Sequence, residues 1–269
     1  MKCIDRWVRG VTVVLCLLPN ACIVGVVDFD DDDHHSGDRE ASKEFYRVVT
    51  ADGQNFFRIV GGNGTVEIEG SEGAQEVTIS ATLRVRSDTR GDAEDHLRLL
   101  DVSVTSDPTK ILVETVQPQN PGGRTYIVDY EIEVPALWLV EVTNGNGSIR
   151  LEDLDGDVEI RNGNGDITLS GITGSSWLVL GNGVVDAQIW LPVDGQIVHS
   201  LGNGSLKLRV QPDVSAELNA KIGNGPIVLS GFTLHEAVSG PGILRGTLGG
   251  GQGLIDLTVG NGTIEVKEH

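Results

Sequence analysis

Cysteine is missing from everything beyond residue 22: the chain has 3, and all of them, Cys3, Cys16 and Cys22, stand at or before that point. No disulfide framework and no thiolate zinc cluster can therefore form in the long remainder. Positive charge is scarce too, with 20 Lys and Arg against 39 Asp and Glu and a formal charge of −19. Nucleic acid is bound through basic patches, so this balance argues against it as a partner. Nucleophile signatures are lacking as well. There is no Gly-x-Ser-x-Gly, and His96, His199 and His235 have no patterned partner. Glycine-rich stretches occur, but no Lys-Ser/Thr pair follows them and no helix opens after them, so they are not phosphate loops. No cofactor is implied. No stretch reads convincingly as helix; Ala93 to Leu100 comes nearest.

Glycine, by contrast, is abundant at 36 of 269 residues, about double the usual share of roughly 7%. Much of it belongs to one recurring phrase. Gly-Asn-Gly is centred on Asn63, Asn146, Asn164, Asn182, Asn203, Asn224 and Asn261, and from Asn146 the steps are 18, 18, 21, 21 and 37 residues. The last gap reads as two steps, with Ser239 to Leu244 as a worn copy in its middle. A fixed short period marks a stacked repeat architecture.

The flanks of each phrase explain it. Val158 and Ile160 stand six and four residues before Asn164, and Ile167 and Leu169 stand three and five after it. Spacing of two puts both members of a pair on one face of a strand. Each repeat is thus strand, tight turn, strand. The turn needs positive φ, which glycine tolerates for want of a Cβ and asparagine through local hydrogen bonding. Stacked copies bury a shared core that one copy cannot bury alone. The fold expected is all-β: a single-stranded parallel β-helix, or β-solenoid, of 18–21-residue coils, about 29 Å of rod at the usual strand spacing. Asparagines at one place on successive coils can stack into a hydrogen-bonded ladder. The alternative is a row of side chains that binds a ligand.

Before the repeats the chain divides by composition. Lys2, Arg6 and Arg9 precede the apolar run Val11 to Leu18, which is too short to span a bilayer and reads as a signal-peptide core over residues 1–21. Leu17 to Cys22 resembles a bacterial lipoprotein signal with Cys22 as the acylated residue, although Pro19 and Asn20 depart from that pattern. Ordinary cleavage and export, or a retained anchor, are the alternatives. Residues 22–44 form an acidic tether that includes Asp30 to Asp33 and the pair His34-His35, where a loosely held metal is the alternative to plain linker. Residues 45–143 carry longer alternating strands such as Glu76 to Arg86, with exposed loops at Ser87 to Glu94 and Gln117 to Gly123, and read as an irregular start to the same sheet. Val134-Pro135-Ala136 marks the joint. Residues 144–269 are the regular repeats, and Lys267-Glu268-His269 reads as a charged end to the last strand.

Tyr130 to Pro135, Val140-Glu141-Val142, Asn144 to Ile149, Leu154 to Val158 and Asn164 to Ile167 together resemble the bacterial "putative-adhesin" β-solenoid family. The resemblance covers residues 45–269. It implies an all-β solenoid at the cell envelope, on an exported or lipid-anchored chain, with no catalytic residues to carry over. The chain departs from the pattern at Val184 and Pro226, where an Asp often stands.

Three groups remain as candidate sites. Asp153, Asp155 and Asp157 resemble part of a calcium loop, but Asn164 stands where the bidentate Glu belongs; Asp166 is a further carboxylate nearby in sequence. His199 falls inward, where its neighbours carry aliphatics, as a tolerated polar slot in the core. Trp138, Trp177 and Trp190 fall beside inward positions and read as outward-facing platforms for sugar rings, or as side chains covered by a loop or end cap. The function expected is that of a non-enzymatic, adhesin-like binding or scaffolding protein of the cell envelope. Its partner would be a glycan or an envelope protein, and its membrane contact the lipid at Cys22. A polysaccharide-acting enzyme using the four aspartates, and an envelope-stress regulator, are the alternatives.

Overall fold

The structure, a computed structural model, describes residues 39–269. The signal sequence, Cys22, His34 and His35 lie outside the described residues. The first half holds β1 (Glu40–Thr50), β2 (Phe56–Val60), β3 (Val66–Ser71), β4 (Glu76–Arg86), helix α1 (Arg90–Leu97), β5 (Asp101–Ser106), β6 (Lys110–Val116) and β7 (Thr125–Pro135). The repeats hold β8 (Leu139–Asn146), β9 (Ile149–Glu152), β10 (Val158–Asn164), β11 (Ile167–Thr173), β12 (Ser176–Trp190) and β13 (Gln196–Val210). There follow β14 (Ala216–Asn224), β15 (Ile227–Ser230), β16 (His235–Gly240), β17 (Ile243–Leu248) and β18 (Gly253–Glu268).

These elements form one mixed sheet of 18 strands, wrapped round a single apolar interior as a nearly closed barrel. One leg before the Gly-Asn-Gly corner runs β2, β8, β10, β12, β13, β18, β14 in parallel register. The leg after it runs β3, β9, β11, β12, β13, β18, β15. Inside, the paired positions form columns: Ile149, Ile167, Val185, Leu206 and Ile264 are all buried in one cluster. Each buried aliphatic contributes about 1.5–3 kcal/mol. Tyr130, also buried, keeps a partner for its hydroxyl in Thr115, at 2.7 Å.

A single-stranded parallel β-helix is not what forms. β4 runs antiparallel to both β1 and β7, β5 to β6, and β17 to both β14 and β16. The reason lies in the connections. Between Asn63 and Asn146 no Gly-Asn-Gly corner occurs, and tight turns reverse the chain instead, as at Asp107, whose carboxylate accepts from the backbone N–H groups of Thr109 and Lys110. Adjacent parallel strands need a longer crossover; hairpins do not.

The order of coils differs too. The segment containing Ser239 to Leu244 is no worn repeat but part of the β16–β17 hairpin, turned at Gly242 (φ 71°) and laid against β14. β18 then returns between β13 and β14–β15, with Asn261 in register with Asn203 on one side and Asn224 on the other. Lys267-Glu268-His269 accordingly ends an interior strand and caps nothing.

A helix exists where none was expected. α1 begins at residue 90, within the stretch read as loop, because Thr89 caps it by accepting the Asp92 N–H at 3.2 Å. The Asp92 side chain takes two bonds from Arg124, at 2.6 and 2.7 Å, and one from Ser87. Those bonds hold its carboxyl well below the usual range and tie the helix to the 117–123 loop. α1 packs on β1 and β4 at one end of the barrel.

Candidate functional site

At each corner the second glycine adopts positive φ, 125° to 146° from Gly64 to Gly262. The asparagines between the glycines stand in a row along the outside. Asn146 donates to the Asn63 side-chain oxygen at 2.8 Å, Asn164 to Asn146 and Asn182 to Asn164 at 2.7 Å, Asn203 to Asn182 at 2.7 Å, and Asn261 to Asn203 at 2.8 Å. Asn224 stands in register beside Asn261. The amides are joined to one another as a rail.

A second polar bracket lies inside the corner. Asn144 and Asn162 are buried, and each donates from its amide to two backbone oxygens: Asn144 to Gly64 and Asn146, Asn162 to Gly147 and Asn164. Sequence reasoning passed over these two. The signal was a polar residue where later coils place Leu180, Leu201 and Ile222.

The acidic residues are turn fittings. Asp157 accepts the Ser175 N–H at 2.8 Å and Asp166 that of Val184 at 3.0 Å. Asp153 and Asp155 are exposed on either side of buried Leu154. Among the described residues no group of three or more His, Cys, Asp or Glu is placed to hold a metal ion.

His199 is buried, 1% exposed, and its Nε2 makes a 2.9 Å hydrogen bond with the Ser176 hydroxyl, itself inward-facing. Burial pushes its pKa down to about 3 from an ordinary 6.5. Above pH 6.5 both folded and unfolded histidine are neutral. Below it the unfolded chain takes up a proton that the folded one refuses, so stability is full above 6.5 and declines as pH falls towards 3. Wild type should therefore lose about 2 kcal/mol between pH 7 and 5 from this group alone. The double variant Ser176→Val/His199→Leu, which extends the aliphatic columns without leaving a hydroxyl unpaired, should lack that loss. Urea midpoints at the two pH values check it; equal slopes would remove His199 as the cause.

The tryptophans do not share a face. Trp138 is buried at 6% exposure, so it offers no outward platform. Trp190 is exposed at the end of β12, edge-on to the His269 ring with centroids 5.3 Å apart. Trp177 alone lies in the middle of the outer sheet face. The cross-strand row there reads Glu141, Glu159, Trp177, Val198. With Val179 it floors a shallow groove of about 460 Å³, rimmed by Glu159, Arg161 and Ser200. Arg161 is held from beneath by Glu159 and, at 3.4 Å, by Glu141.

Neither a scan against protein-family models nor a search of curated proteins finds a match. Among solved structures, a "putative cell adhesion protein" from Clostridium sporogenes ATCC 15579 is 14% identical with a TM-score of 0.49, over 85% of this chain and 100% of that one. A "putative adhesin" from Parabacteroides merdae ATCC 43184 is 12% identical, TM-score 0.24, over 83% and 96%. Another from Bacteroides fragilis NCTC 9343 is 11% identical, TM-score 0.24, over 83% and 97%. Likenesses this distant do not place the chain in a family. With the sheet mixed and nearly closed, the resemblance to the adhesin-type β-solenoid family is corrected: the shared feature is the local corner phrase, which any coil of this geometry needs. No helix among the described residues is long and apolar enough to cross a membrane.

Proposed function

We propose that the chain is a non-enzymatic binding protein displayed from the cell envelope, with a glycan taken on the outer sheet face at Trp177. The observation that carries this reading is the groove itself. An indole and two valines make a flat apolar floor, and a carboxylate, a guanidinium and a hydroxyl rim it at hydrogen-bonding height. Sugar rings pair an apolar face with an equatorial belt of hydroxyls, and such a surface meets both. The four aspartates proposed for hydrolysis favour no enzymatic reading, since Asp157 and Asp166 are engaged by backbone N–H groups. A glycan panel should show retention without cleavage, and Trp177→Ala should weaken retention at least tenfold, about 1.4 kcal/mol. Turnover, or retention indifferent to Trp177, overturns the proposal.

Display is the second element. The charged n-region, short apolar run and Cys22 support export and acylation, and the acidic stretch of residues 22–44 supports a standoff from an anionic membrane surface. Labelled fatty acid should enter the wild type and not Cys22→Ala; equal labelling sinks the anchor.

A further inference from the structure

We infer that β15 is a docking edge for a second copy of this chain, added as an antiparallel strand about a two-fold axis. The inference is independent of the glycan reading. Among the described residues β1 pairs only with β4, β5 only with β6, β16 only with β17 and β15 only with β18, so these four strands are the sheet's edges. Natural edges are guarded by charge, bulges or covering elements. β1 carries Glu40, Lys43, Glu44 and Arg47, and packs beneath α1; β5 has Asp101; β16 has His235 and Glu236, the latter at φ 50° with a register shift. β15 has no such guard. Residues 222–234 contain no charged side chain, in a chain of net charge −19.

The edge is also an unfinished core. Ile227 and Leu229 continue the columns of Leu206 and Leu208 through buried Ile264 and Val266, yet they remain half-exposed, and Val228 is 45% exposed. One more strand on that side would bury them as every earlier coil is buried.

Charge selects the partner. Val228 lies beside Glu265, and Ser230 beside Lys267. If Leu229 faces its own copy across the axis, Val228 falls opposite the second copy's Ser230. Each cross-strand row then runs from Glu265 of one copy to Lys267 of the other, in both directions. The edge is thus complementary to itself in reverse. An isologous contact of this kind uses both open edges and closes at two copies.

Sedimentation equilibrium of the full chain under reducing conditions tests this. Wild type should move from one to two chain masses as concentration rises, and stop there. Val228→Lys sits beside Glu265 in its own sheet, so it keeps the fold, but meets Lys267 of the second copy. Its dimerisation should weaken at least tenfold, with an unchanged circular dichroism spectrum and melting temperature, while the neutral Val228→Thr should dimerise as wild type does. A wild type that stays monomeric, that grows beyond two copies, or that dimerises equally well as Val228→Lys overturns the inference.

Discussion

Gly204→Ala should destabilise the fold by about 4 kcal/mol or more, although it adds one methyl group at an outside corner. Two costs coincide there. Gly204 has φ +134°, and a Cβ built on it would stand 1.8 Å from the carbonyl oxygen of Gly183 on the coil below. That neighbour is backbone, fixed in a parallel ladder on both sides, and cannot move aside without breaking register. The same crowding recurs at Gly147, Gly165, Gly183, Gly225 and Gly262, where the first atom met is the carbonyl oxygen of the equivalent glycine, at 1.6 to 2.2 Å. Gly53 separates the two costs. It has φ +84° with nothing within 4 Å of a Cβ, so Gly53→Ala carries the conformational term alone, about 1 kcal/mol. Chemical denaturation of both variants gives the comparison. If the two losses are equal, positive φ accounts for the corner glycines and close stacking does not.

That result bears on why so much of this fold could be read from its residues. The corner phrase is dictated twice over, by backbone sign and by backbone contact, and the strands beside it by an alternation that only a half-buried strand produces. Phe57, Val142, Ile160 and Leu169 are buried as their spacing requires. What escaped was long-range or locally weak. α1 is short, with an Arg-Gly opening after its Thr89 cap, and only the Thr89 and Asp92 spacing announced it. The hairpins of residues 72–134 use ordinary turns that do not say which strand lies beside which. The groove at Trp177 depends on three strands that are neighbours only through the stack, and His199 finds Ser176 across two of them. Coil order was the least legible property. Every coil presents the same glycines and the same Asn, so any coil can follow any other as far as the corner is concerned.

The second leg decides the order. β13 and β18 run unbroken through the corner and pair from Gln196/Leu254 to Val210/Glu268, burying Leu206 on Ile264 and Leu208 on Val266. β14 stops at Asn224, Pro226 interrupts the leg, and β15 offers four residues. A full-length partner buries more on β13 than an interrupted one, so β18 takes the central place and β14–β15 the end. It follows that Ile264→Asp should unfold the protein, losing about 4 kcal/mol or more, because an unpaired carboxylate would sit in a column closed on both sides. Ile227→Asp, two coils out from β13 and half-exposed, should lose about 1–2 kcal/mol, since its carboxylate can reach water. Were the coils stacked in the order of the chain, β18 would be terminal and the ranking would reverse. Denaturant midpoints of the two variants therefore measure the topology directly: a greater loss for Ile227→Asp than for Ile264→Asp is incompatible with β18 inserted between β13 and β14.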